Sequence, residues 1–63
     1  KPEYRRRDGM SLRRMPGALL TEVELFIPAK GWQPFPDDPD PGKSSVAAWM
    51  EGTPIKQAEA EKV

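Results

Sequence analysis

Between Gly31 and Ser45 the chain reads GWQPFPDDPDPGKSS. Pro34, Pro36, Pro39 and Pro41 each fix φ, remove a backbone donor and push the preceding residue toward extended conformations. Regular helix is therefore excluded from this stretch, and a proline-stiffened connector over 28–43 is expected. Its aspartates, Asp37, Asp38 and Asp40, resemble a cation loop, but the register fails. Counting from Asp38, a helix–loop–helix calcium site needs an acid at its fifth position and glutamate at its twelfth. Gly42 and Trp49 stand there. Gly42-Lys43-Ser44 matches the end of a phosphate-binding loop, but Asp37 replaces the glycine required five positions earlier.

What flanks the connector is sparse. In 63 residues there are eight prolines and five glycines, with 37% hydrophobic and 32% charged residues. Mean hydropathy is −0.74. Such a chain is one small domain at most, and it buries a smaller share of its surface than larger domains do. Without cysteine there is no disulfide or thiolate metal site to staple it. Ordering each residue costs about 1–2 kcal/mol of backbone entropy. These terms predict a chain with little regular structure, extended, and ordered mainly through a partner.

Residues 18–27, ALLTEVELFI, are the strongest element. As a strand they place Leu19, Thr21, Val23, Leu25 and Ile27 on one face and Leu20, Glu22, Glu24 and Phe26 on the other. A helix would group Leu19, Leu20, Val23, Phe26 and Ile27 instead. The β-branched and aromatic content favours the strand, and Pro28 ends either one. With no second convincing strand, the segment is expected either to form a short weak hairpin or to dock on the sheet edge of another molecule. Ser44 or Ser45 can cap a short helix over about 45–51, with Gly52 as its stop. Thr53-Pro54 reads as the start of a second helix over about 54–62, in which Ile55 and Val63 are the only large apolar residues. The organisation expected is a basic arm (1–17), a docking element (18–27), a connector with aromatic anchors (28–44) and a short helical tail (45–63).

Net charge is zero, but it is segregated. Residues 1–14 hold six cations against two acids, leaving +4. The remainder holds four lysines against eight acids, leaving −4. All five arginines fall in the first part. With Tyr4 beside them, Arg5, Arg6, Arg7, Arg13 and Arg14 are candidates for contact with nucleic acid or with an acidic protein surface. A sequence pI near 6.4 is low for a nucleic-acid protein. Trp32, Phe35 and Trp49 carry most of the burial potential of the second half. They can form an internal cluster or anchor the chain in a partner's pockets. Together with Leu19, Val23, Leu25, Phe26 and Ile27 they are the candidate partner-binding residues.

With no histidine or cysteine, the common nucleophile and base pairs are missing, and no catalytic role, cofactor, metal or small-molecule substrate is expected. No apolar run reaches the length of a membrane span, and no signal-peptide core is seen. A soluble protein of the cytoplasm or of an assembled particle is expected. The first residue is Lys1, as in a processed product, a fragment or a tagged chain. The reading that best fits these features is a non-catalytic accessory or structural subunit lying extended along a larger assembly. A small nucleic-acid-associated regulator and a small inhibitor or antitoxin-like binder are the alternatives.

Overall fold

Asp8 and Gly9 both have positive φ, 47° and 80°. Two such residues make the mirror-image turn whose twist suits a tight hairpin. They join β1 (Glu3–Arg7) to β2 (Met10–Arg14), with Glu3 opposite Arg14 and Arg7 opposite Met10. The computed structural model describes residues 1–62. In it the expected basic arm is the centre of a five-stranded antiparallel sheet. The other strands are β3 (Glu24–Ile27), β4 (Gly31–Pro34) and β5 (Thr53–Ile55), in spatial order β4-β3-β2-β1-β5. Two short helices, α1 (Ser45–Glu51) and α2 (Gln57–Ala60), complete it, with 3-10 turns at Leu20–Glu22 and Pro41–Lys43.

The expectation of an extended chain is overturned. The Cα radius of gyration is 10.7 Å. A compact chain of this length has about 10.6 Å and an unfolded one about 24 Å. The missing burial is found in arginine. Alternation places Arg5, Arg7 and Arg14 with Met10 and Leu12 on one sheet face, and Arg6 and Arg13 with Tyr4 and Ser11 on the other. Long arginine stems cover apolar surface while their heads reach polar partners.

The strand expected over 18–27 begins only at Glu24. Gly17, at φ 78°, turns the chain, and the Ala18 N–H donates to Met15 O at 3.0 Å. The Glu22 carboxylate then accepts the Leu19 N–H at 2.8 Å and holds the 3-10 turn. Local hydrogen bonding thus overrides the alternation across 18–23. β3 finds its partners within the chain: Leu12 opposes Leu25, and Phe26 opposes Trp32.

The front of the expected connector is likewise a strand. The Lys30 N–H donates to Ile27 O at 2.8 Å, and Gly31 takes φ 83°, which closes the β3–β4 hairpin. Beyond Phe35 the chain is irregular to the turn at Pro41, where Asp40 accepts the Gly42 N–H at 2.9 Å. Ser44 Oγ accepts the Ala47 N–H at 3.1 Å as the cap of α1, and the Gly52 N–H donates to Trp49 O. The second helix is corrected. Thr53–Ile55 pairs with β1 as β5, so only Gln57–Ala60 is helical. Val63 lies outside the described residues.

The sheet is covered on both faces. On one face Ala48 and Trp49 of α1 pack with Leu12 and Val23, all four buried, and Met10, Leu20, Leu25 and Phe35 pack around them. On the other face Tyr4, Ser11 and Ala60 are buried. There the sheet curls strongly, since Tyr4 and Trp32, three strands apart, have ring centroids only 5.7 Å apart.

Candidate functional site

The arginines all have partners within the chain. Arg5 Nη1 donates to Trp49 O at 2.7 Å and its guanidinium lies 4.5 Å from the Trp49 ring centroid. Arg6 Nη2 donates to Glu59 O at 2.6 Å and to Ser11 Oγ at 3.2 Å. Arg7 pairs with Glu51 at 2.7 Å. Arg13 pairs with Glu24 at 2.8 Å and stacks 4.7 Å from the Trp32 centroid. Arg14 Nε donates to Ala18 O at 3.0 Å, with Glu3 a further 3.7 Å contact. These side chains tie β1 and β2 to both helices and to the loop before β3. To grip a phosphate they would have to release those partners.

The aromatic candidates divide between the two faces. Trp49 is in the core and Phe35 packs against it. Trp32 leans on Phe26, with centroids 5.1 Å apart, and its Nε1–H donates to Glu61 at 2.8 Å. Among the apolar partner-binding candidates, Val23 is in the core, Leu25 packs on it, and Phe26 and Ile27 are half-buried. Leu19 alone is well exposed, at 67%.

Among the described residues, three exposed large apolar side chains were not among those candidates: Met15, Val46 and Met50. The signal for two of them was present in the helix expected over 45–51. Ala48 and Trp49 turn inward there, which leaves Val46 and Met50, one turn apart, on the outer side. The Ser45 hydroxyl donates to Leu20 O at 3.1 Å and fixes the first turn of α1 against the 3-10 turn. Two shallow grooves meet at that junction and share Thr21. One continues to Val46, Pro36 and Pro39. The other runs over Met15, Ala18, Val23 and Phe35. Leu19 lies next in sequence to Ala18 of the second groove, and Met50 lies one turn beyond Val46 on α1. Met15, Leu19, Val46 and Met50, the large apolar side chains exposed on these two neighbouring segments, are the candidate functional surface.

Among the described residues, no three carboxylates converge to hold a metal. Asp38 and Asp40 instead accept N–H groups of their own loop, from Asp40 and Gly42. Gly42-Lys43-Ser44 forms the end of a 3-10 turn and the cap of α1. No helix among the described residues is long and apolar enough to cross a membrane. No protein-family model matches the chain, and neither curated proteins nor solved structures include a significant match to it.

Proposed function

We propose that the protein is a non-catalytic binding module, a small accessory subunit that docks on a larger protein through the surface of Met15, Leu19, Val46 and Met50. The observation that carries this reading is the exposure of Leu19 and Met50, 67% and 66%, in a chain that buries Leu12, Val23 and Trp49 almost completely. Single exposed apolar residues are ordinary, whereas a grouped set beside grooves is the usual sign of an interaction surface. The folded subunit presents this surface already formed, so docking needs no ordering of an extended chain. The arginine–aromatic face is a weaker candidate, because its guanidiniums are already engaged.

The test is Leu19→Ser combined with Met50→Ser. Both side chains are exposed, so the urea midpoint should stay close to that of the parent. Affinity for the partner recovered by pull-down from the native source should fall by at least about tenfold, as expected where apolar anchors carry the binding. Retained affinity in a folded double variant would remove this reading.

A further inference from the structure

The two grooves at Thr21 differ from the rest of the surface in charge. Their apolar lining is Met15, Ala18, Val23, Phe35, Val46 and the prolines, interrupted by Thr21, Ser44 and Ser45. Glu22, Glu24, Asp37 and Asp38 also line them, and no lysine or arginine lines either one. Glu24 is neutralised by Arg13. Among the described residues, Glu22, Asp37 and Asp38 have no cationic group within ion-pair distance. The folding of the first fourteen residues into the sheet produces this imbalance. It commits the arginines elsewhere and leaves Glu22 and Asp37 facing this apolar surface without a cation, while Asp38 also lines an adjoining groove with Arg7 and Lys43.

Resting on the docking role above, we infer that this groove receives a segment of a partner protein in which large apolar side chains are flanked by lysine or arginine. The apolar side chains pack on the apolar lining and supply most of the affinity. The flanking cations meet Glu22, Asp37 and Asp38, which sets specificity and speeds encounter more than it adds binding energy. Exposed pairs of this kind contribute little each and are screened by salt. Nucleic acid is disfavoured at the same place, since its phosphates would face these acids.

Random peptides displayed on phage and panned against the whole protein supply the probe. The enriched sequences should combine a large apolar residue with nearby lysine or arginine. A synthetic peptide of the consensus should shift the amide resonances of Thr21, Glu22 and Val46. Its affinity should fall about tenfold on the charge reversal Glu22→Lys with Asp37→Lys, and should also weaken as salt is raised on the unmodified protein. The salt series reads the same electrostatics if the reversed variant fails to fold.

An apolar consensus without cations, or affinity indifferent to salt, overturns the inference. It leaves the docking role standing if Leu19→Ser with Met50→Ser still abolishes binding. Enrichment no better than without the protein, or peptides indifferent to the Leu19 and Met50 changes, removes both.

Discussion

Arg13 is held from two sides, by the Glu24 carboxylate and by the face of Trp32. Stacking at a partly buried site contributes about 1 kcal/mol and a charge-assisted hydrogen bond somewhat more. Arg13→Ala should therefore cost about 2 kcal/mol in urea unfolding. Glu24→Ala should cost less, and the double variant less than the sum, because the two residues share one interaction. A cost for Arg13→Ala below about 0.5 kcal/mol, the range of an ordinary surface change, would show that this arginine is not a structural tie. Gly52 poses a different constraint. Its φ of −76° suits any residue, but an added Cβ would lie 3.0 Å from Arg5 Cβ. The Ala48 and Trp49 carbonyls would lie at 3.3 and 3.4 Å, so Gly52→Ala should cost about 1 kcal/mol or more through these contacts together, and Arg5→Ala does not relieve the first because it keeps Cβ. At this scale the sequence displayed the cations but not their partners. Arg5 reaches a carbonyl 44 positions away, and Arg6 one 53 positions away.

The elements were legible where a local signal decides them and illegible where pairing does. The Ser44 cap and the Gly52 stop read directly from residue chemistry. β1 and β2 did not, because EYRRR and MSLRR lack the apolar alternation that marks a half-buried strand. Thr53-Pro54 suits a helix start and an edge strand equally well, and only its pairing with β1 selects the strand. That pairing also places the proline. The two-residue turn makes Arg7 and Met10 a hydrogen-bonded pair, so alternate positions Tyr4 and Arg6 bond to β5 and the Pro54 backbone faces outward. On the opposite edge the Phe35 N–H bonds to Val23 O, which turns Trp32 and Pro34 outward. Both open edges therefore present a proline where a neighbouring strand would need a donor, a recognised device against edge-to-edge pairing. The docking of a bare strand on another molecule's sheet, expected for residues 18–27, has no counterpart here. β3 is paired on both sides. Pro54→Thr restores an outward N–H without disturbing the bonds to β1. It should leave the urea midpoint nearly unchanged and raise concentration-dependent self-association in sedimentation velocity. If the variant stays as monomeric as the parent, Pro54 is not the edge guard.

For the whole molecule the question is whether a sheet with a core on one face and an aromatic–arginine layer on the other unfolds as one unit. Composition argued against independent folding because it counted apolar residues alone. That count missed the arginine stems and the curl that brings Tyr4, Phe26 and Trp32 together. The two faces share β1 and β2, and arginines from those strands reach α1 on one side and α2 on the other. Loss of either layer removes partners from the other, which is the condition for all-or-none behaviour in a domain this small. The global stability to be expected is about 3–9 kcal/mol, at roughly 0.05–0.15 kcal/mol per residue. The two tryptophans divide between the layers and serve as separate reporters. In Trp32→Phe, fluorescence follows Trp49 in the α1 face, whereas in Trp49→Phe it follows Trp32 in the opposite one. Each variant will have its own midpoint. Within each, the fluorescence transition should coincide with the far-ultraviolet circular dichroism transition. An earlier fluorescence change in Trp49→Phe alone would mean that the aromatic–arginine layer opens before the sheet. The arginines of that layer would then become available to an outside partner, and the nucleic-acid reading would regain its footing.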